Sequence, residues 1–113
     1  MSKDEAVEIP KRRWFRAAVS GRSMAPTLND GDFVVVRPRG RIRPGAVVLA
    51  EFELKPGFVV IKRVAAVDEN GLWLTGDNAA ESDASEKYGY ALPLGVVMAR
   101  YWPRPGRLRR SGS

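Results

Sequence analysis

The sequence predicts a single, mostly β domain in which short antiparallel strands form a small coiled or barrel-like sheet. Runs of β-branched and aromatic residues alternate with turns rich in Gly, Pro and Asn along most of the chain. No segment keeps a helical hydrophobic period over about 11 residues. The length of 113 residues also suits one hydrophobic core. A closed sheet would hide strand edges that otherwise promote association.

The individual elements follow from the local patterns. The first, Trp14–Val19, is compatible with a short helix or a strand. Later runs are typical of strands joined by hairpin turns, at Phe33–Arg37, Ala46–Phe52, Phe58–Val67 and Leu72–Thr75. Asn70-Gly71 is the strongest turn signal, because a two-residue turn with positive φ at both positions favours Asn and Gly. The sequence therefore predicts a meander of hairpins.

The ends of the chain differ in character from its middle. We expect one folded domain over residues 12–103, a flexible leader at 1–11 and a flexible basic tail at 104–113. The leader is polar and acidic, unlike a secretory signal with its basic start and apolar middle. The apolar runs are far shorter than the roughly 20 residues that cross a bilayer. These features predict a cytoplasmic protein without a transmembrane segment.

Composition narrows the possible chemistry. The chain has 44% hydrophobic and 28% charged residues, as expected for a globular protein, and it contains no cysteine and no histidine. These absences exclude disulfides, a cysteine nucleophile, a Ser/His/Asp triad and the commonest zinc ligands. We expect no cofactor and no metal. Hydrolytic chemistry in this chain would need another general base, for which lysine is the natural candidate.

The formal net charge of +6 raises the question of an anionic partner. The basic residues concentrate in Lys11–Arg16, Arg37–Arg43 and Arg104–Arg110. We interpret these runs as solvated surface and tail, with weak contact to an anionic surface as the lesser alternative. A nucleic-acid partner is not expected.

One stretch, SGRSMAPTLNDGDFVVV at 20–36, carries a functional signal. Its Ser23 lies in a small-residue turn ahead of a Gly-Asp pair and a β-branched strand. On its own, a serine in such a turn usually serves local hydrogen bonding. The run Ser-Met-x-Pro-Thr-Leu-x-x-Gly-Asp at 23–32, however, resembles the signature around the nucleophile of type I signal peptidases. Three further stretches resemble this family in the same order: a lysine-bearing strand at 58–64, a Gly-Asp-Asn motif within 72–89 and a terminal strand at 94–103.

The resemblance, which covers about residues 19–103, implies a β domain of the signal-peptidase and LexA-like type and a set of site residues. Ser23 is the implied nucleophile, with its backbone N–H as an oxyanion donor, and Lys62 is the implied general base. The implied supporting residues are Gly21, Met24, Asp77, Asn78 and Ser82.

The sequence departs from the family pattern at two points. Gly21 stands where many bacterial relatives have a serine or threonine that donates to the oxyanion, so the second donor is left open between the Gly21 neighbourhood and water. Ala84 and Glu86 replace the family's acidic and arginine residues, which removes their ion pair and puts local rigidity in doubt.

The residues around Lys62 agree independently with a role as a base. In an extended strand, side chains alternate between faces, so Lys62 shares its face with Phe58, Val60, Val64 and Ala66. Burial among apolar groups disfavours the ammonium and lowers a lysine pKa, as a general base near neutral pH requires. Arg63 lies on the other face and stays protonated, so we interpret it as a solvent-facing or paired charge.

These inferences predict an endopeptidase that works by acyl transfer through a Ser/Lys dyad. The small size and the lack of a predicted membrane anchor are most similar to the maturation proteases of nickel-containing superoxide dismutase, which trim a leader from their substrate. We expect the substrate to bind as an extended strand at an exposed sheet edge. A preference for small residues near the cut is implied by the family.

Two other functions compete with this prediction. A LexA-like self-cleaving module also uses a Ser/Lys pair, but it usually carries a DNA-binding or regulatory segment, and we expect the residues ahead of Ser23 to be too few for one. A non-enzymatic basic β-barrel could bind single-stranded nucleic acid by stacking bases on aromatics, for which Trp14, Phe15, Tyr101 and Trp102 are available.

Overall fold

The computed structural model describes residues 13–38, 40–78, 80 and 83–108. The described strands are β1 (Phe15–Ala18), β2 (Phe33–Arg37), β3 (Val47–Phe52), β4 (Val59–Asp68), β5 (Gly71–Thr75), β6 (Ala91–Trp102) and β7 (Gly106–Arg107). One short helix, α1 (Ser85–Tyr88), lies between β5 and β6. Within these residues, no helix has the length and apolar character needed to span a bilayer.

The long strand β6 organises a single antiparallel sheet. The sheet order is β1-β2-β6-β3-β4-β5, and β7 also pairs with β6. Val96 of β6 pairs with Arg37 of β2 on one edge and with Val48 of β3 on the other. Strand β5 returns to β6, where Leu72 pairs with Ala91, so that β6, β3, β4 and β5 close into a small barrel. The predicted mostly β, barrel-like fold is confirmed.

Two apolar clusters fill the domain. The barrel interior contains Val48, Ala50, Phe52, Val60, Val64, Leu72, Leu74, Ala84 and Ala91. A second cluster lies beneath β1, β2 and the loop between them and contains Val19, Met24, Leu28, Val34, Val36, Val47 and Val97. The candidate catalytic serine follows β1, above the second cluster, and the candidate lysine is on β4, so the two cores support opposite sides of the site.

The hairpin between β4 and β5 differs from the prediction by one residue. Asp68 pairs with Gly71, so the loop consists of Glu69 and Asn70 rather than Asn70 and Gly71. The N–H of Asn70 donates to Asp68 Oδ1 at 2.8 Å, which stabilises this loop. Gly71 has a φ of 129°, and a Cβ there would lie 2.8 Å from the carbonyl oxygen of Ala91. The glycine is therefore required where β5 approaches β6.

The two ends of the predicted domain both contain a strand. Of the two structures left open for Trp14–Val19, the strand holds, as β1. Residues 104–108, assigned from the sequence to a flexible tail, include β7, which pairs with Ala99 and Arg100 of β6. Leu108 packs against the second apolar cluster, which explains why this segment follows the domain surface. The predicted leader at 1–11 and the end of the predicted tail at 109–113 lie outside the described residues.

Candidate active site

Ser23 lies in the turn that follows β1, half-buried at the domain surface. The next residue, Met24, is 1% exposed and belongs to the second apolar cluster. Its carbonyl accepts a hydrogen bond from the N–H of Leu28 at 2.9 Å, and Leu28 is also fully buried. Met24, predicted to line the site as well as the core, lies in the core and does not line either cleft described below. It supports the serine from beneath.

Lys62 lies on β4 with only 5% of its surface exposed. Its predicted neighbours Val60 and Val64 are buried, but Phe58 is 40% exposed and Ala66 is exposed as well. The strict alternation predicted from the sequence fails at Ala66 because the register with β5 shifts between Val64 and Ala66, and Phe58 lies just before the start of β4. Lys62 therefore has fewer apolar neighbours than the pattern predicts, yet it remains buried.

Burial of Lys62 lowers the pKa of its amine below the ordinary value of 10.5. The carboxylates of Asp83 and Glu86 act in the opposite direction and raise it, but desolvation is the larger effect. The neutral amine is therefore more accessible near neutral pH than that of an exposed lysine. Neither acidic residue was predicted to act on Lys62, because nothing in the local pattern of 83–86 indicates that it faces β4.

Ser23 and Lys62 line the same cleft, called here the main cleft, with a volume of about 600 Å³. One wall is formed by residues 17–20 and the other by residues 58–62, and Leu49 also lines the cleft. A smaller side cleft of about 280 Å³ contains Ser23 and Lys62 as well, together with Asp83 and Tyr88. The fold thus brings together two side chains that are far apart in the sequence.

The main cleft runs between two strand edges that pair with no other strand among the described residues. Strand β1 pairs with β2 along one edge only. Strand β4 pairs with β3 over 59–63 and with β5 over 63–68, which leaves the second edge of 59–62 unpaired. Unpaired edges offer backbone N–H and C=O groups to an added strand.

Asn78 links the turn that contains Ser23, called here the serine turn, to the loop after β5. Its backbone N–H donates to the carbonyl oxygen of Ser23 at 2.8 Å. Its side-chain Nδ2 donates to the carbonyl oxygen of Arg22 at 3.0 Å. The predicted supporting residue Asn78 therefore fixes two consecutive backbone groups at the candidate nucleophile.

Asp77 links the serine turn to the lysine-bearing strand. Its Oδ2 accepts a hydrogen bond from Thr27 Oγ1 at 2.5 Å. Arg63, which follows Lys62, donates to Asp77 through Nε at 3.0 Å and through a terminal nitrogen at 2.6 Å. Another terminal nitrogen of Arg63 donates to the carbonyl oxygen of Gly45 at 2.9 Å. Of the two interpretations left open for Arg63, the paired charge holds, since the residue is 6% exposed.

The balance of these contacts sets the ionisation of Asp77. Burial raises the pKa of Asp77, but the hydrogen bonds from Arg63 and Thr27 and the positive charge of Arg63 outweigh burial and hold it below the ordinary 3.8. The carboxylate is therefore charged at neutral pH. The sequence had put local rigidity in doubt because the family's ion pair at Ala84 and Glu86 is absent, but the Arg63–Asp77 pair ties the strand that carries Lys62 to the loop after β5.

The N–H of Gly21, a possible second oxyanion donor, already has a partner. It donates to Asp30 Oδ1 at 2.7 Å. Gly21 has a φ of 89°, a backbone conformation that strongly favours glycine. Gly21 therefore shapes the turn rather than offering its own N–H to the cleft. The predicted supporting residue Ser82 lies outside the described residues.

The four aromatic residues considered for base stacking are not equivalent. Trp14 and Trp102 are 54% and 57% exposed. Phe15 is half-buried and packs against the second apolar cluster, and Tyr101 is half-buried at the sheet surface. They do not form one exposed stacking face.

Comparison with known proteins points to peptidases. A family model described as "Peptidase S24-like" matches residues 2–88, which include Ser23, Lys62, Asp77 and Asn78. Among curated proteins, mitochondrial inner membrane protease subunit 1 of Xenopus tropicalis is similar to this chain, with 29% identity over 111 residues. The alignment covers 74% of this chain and 66% of that protein, slightly less than two thirds of its length.

Proposed function

Because this chain belongs to the Peptidase S24-like family, we propose that it is a serine endopeptidase in which Ser23 is the nucleophile and Lys62 the general base. The proposal rests mainly on one observation. Ser23 and Lys62, from separate parts of the chain, line one cleft, and the lysine in that cleft is 5% exposed with a lowered pKa. A serine needs an adjacent base to become nucleophilic, and no histidine is present in the sequence.

The proposed reaction has two acyl-transfer steps. The neutral amine of Lys62 takes the proton from the Ser23 hydroxyl as Oγ attacks the scissile carbonyl carbon. The ammonium then gives a proton to the departing amine, which breaks the peptide bond and leaves an acyl ester on Ser23. In the second step Lys62 activates a water that hydrolyses this ester and restores the serine. Asn78 and the Arg63–Asp77 pair keep the turn that contains Ser23 and the strand that contains Lys62 in place during both steps.

Negative charge on the substrate carbonyl oxygen requires hydrogen-bond donors. The backbone N–H of Ser23 is the proposed first donor. The N–H of Gly21 is engaged by Asp30, so the second donor has to come from elsewhere in the cleft or from water. A site with a weaker oxyanion hole is expected to be slower than one with a built-in side-chain donor, since one such donor contributes about 3–4 kcal/mol.

We propose that the substrate binds as an extended strand between the unpaired edges of β1 and β4. The main cleft has apolar side chains from both walls, including Ala17, Val19 and Ile61. These suit a small apolar side chain next to the cut. A leader segment in extended conformation presents such a backbone, so the proposed activity is removal of a leader from a precursor protein. The precursor of nickel superoxide dismutase is the first candidate substrate.

The test is cleavage of leader-containing peptides, followed by mass spectrometry to locate the cut. Wild-type protein is expected to produce one defined cut, and Ser23→Ala and Lys62→Ala are expected to abolish it while the circular dichroism spectrum stays native. Ser20→Ala tests the neighbouring hydroxyl on the same cleft wall. Near-normal cleavage by Ser23→Ala, with loss in Ser20→Ala, would reassign the nucleophile. Cleavage by Lys62→Ala would exclude Lys62 as the base.

The family assignment also keeps self-cleavage as a second candidate activity, because it uses the same serine and base. The intact mass of the enzyme during the same incubation separates the two. Self-cleavage would be favoured by a fragment of the enzyme that appears in wild type and is absent in Ser23→Ala. The rate constant for the formation of this fragment should not depend on enzyme concentration. The predicted cytoplasmic location stays a prediction.

A further inference from the structure

The sheet surface beside β1 contains a second concavity next to the main cleft. This outer hollow has a volume of about 350 Å³ and is lined by Arg16, Ala17, Ala18, Phe33 and Tyr101. Ala17 and Ala18 also line the main cleft. The two concavities therefore meet along β1, and a peptide bound along this strand would reach both.

The pleat of β1 places alternate side chains on the core face and on the outer face of the sheet. Phe15 and Ala17 pack against the second apolar cluster. Ala18 pairs with Phe33 across the sheet, and residues directly opposite one another project to the same face. Arg16 and Ala18 alternate with the core-facing residues, so they share the outer face with Phe33.

Arg16 provides the charge of the outer hollow. It is exposed, and its guanidinium lies 5.7 Å from the centroid of the Tyr101 ring, which holds it by a cation–π contact. Within the part of the chain that the structure describes, no acidic side chain pairs with it. Arg100 on β6 differs, since it donates to the carbonyl oxygen of Thr27 at 3.2 Å and lies 3.7 Å from Asp32. Among the described residues, the guanidinium N–H donors of Arg16 therefore remain available to a ligand from solvent.

We propose that the outer hollow is a substrate subsite for an acidic side chain. The inference rests on the proposed endopeptidase function, because it takes the bound peptide to be a strand added to β1. Successive side chains of such a strand alternate between faces, so the neighbours of the residue in the main cleft project towards the outer face.

A substrate Asp or Glu one or three residues from the side chain in the main cleft would lie near Arg16. A carboxylate there can accept two parallel hydrogen bonds from the guanidinium. The rings of Phe33 and Tyr101 limit water on one side of this pair, which strengthens the attraction relative to open solvent. Substrates with Lys or Arg at the same position would be disfavoured by like charge.

The experiment measures kcat/KM for internally quenched fluorescent peptides. Each peptide keeps one small residue at the cut and carries Glu, Ala or Lys at one nearby position, and every nearby position is varied in turn. Each peptide is tested with wild type, with Arg16→Glu and with Arg43→Glu. Arg43 is exposed on the loop before β3 and does not line either cleft or the outer hollow, so its substitution matches the change in net charge. At the responsive position, wild type is expected to prefer Glu over Ala by about 1.4- to fivefold, the range of a cross-strand charge pair.

Arg16→Glu is expected to reverse this preference to Lys, whereas Arg43→Glu keeps the preference for Glu. Equal shifts in both variants would show a long-range effect of net charge and overturn the subsite. The subsite would also be overturned if Arg16→Glu changed the kcat/KM preference at no position although every peptide is cleaved. Failure of the proposed function gives a different pattern, in which no peptide is cut by wild type or the cuts persist in Ser23→Ala.

Discussion

The ion pair between Asp77 and Arg63 leads to a quantitative prediction about the link between the loop after β5 and the strand that carries Lys62. Asp77→Asn keeps the size of the side chain but removes a negative charge that pairs with Arg63. The Arg63 side chain is 8% exposed and that of Asp77 is 18% exposed, so the buried guanidinium would lose the Asp77 carboxylate. Removing one partner of a buried pair costs about 3–5 kcal/mol. Because Asp77 keeps some contact with solvent, we expect about 3 kcal/mol, the lower end of that range.

Thermal unfolding followed by circular dichroism measures this cost. For a domain of about 60–100 residues, 1 kcal/mol lowers Tm by about 4–8 °C, so Asp77→Asn is expected to unfold about 12–24 °C below wild type. Thr27→Val is the matched control, because it removes a single hydrogen bond to the same carboxylate and should cost about 1 kcal/mol. A Tm for Asp77→Asn within a few degrees of wild type, or equal to that of Thr27→Val, would refute the role assigned to the ion pair.

Three further predictions concern the site. Peptidase activity should rise with pH as Lys62 loses its proton, through a pKa below 10.5, and a profile that is flat from mildly acidic to alkaline pH would contradict a lysine base. Lys62→Met should unfold at a higher temperature than wild type at pH 7, because the folded chain disfavours the ammonium that the unfolded chain keeps. This difference should shrink as pH approaches 10.5, since the stability of wild type rises across that window, and a constant difference would argue against a depressed pKa. Asn78→Ala should lower kcat/KM by about fivefold, the effect of about 1 kcal/mol for one lost hydrogen bond, and unchanged kinetics would show that the side-chain contact to Arg22 does not position Ser23.

Much of the sheet could be predicted because its strands are locally encoded. The runs at Phe33–Arg37 and Val47–Phe52 are β-branched, bounded by Gly and Pro, and formed within one residue of expectation. The helix Ser85–Tyr88 was missed because four residues are too few to show a helical period. The strand Gly106–Arg107 has no strand propensity of its own and exists through pairing with β6.

The site was predictable where a local pattern encodes it and unpredictable where distant contacts do. Burial of Lys62 followed from alternation along its strand, although the irregularity at Ala66 reduced the number of apolar neighbours. The contact between Thr27 and Asp77 joins residues 50 positions apart, and no local sequence pattern indicates it. The engagement of the Gly21 N–H by Asp30 likewise depends on how the loop folds back.

The ionisation of Lys62 in the folded protein tests the central claim most directly. NMR titration of the lysine side chains labelled with ¹³C at Cε, with the Lys62 signal assigned by its loss in Lys62→Met, reports this pKa without reference to a substrate. The expected result is a pKa for Lys62 clearly below the ordinary value of 10.5. If the Lys62 signal titrates at 10.5 or above, the amine is charged at working pH and cannot activate Ser23.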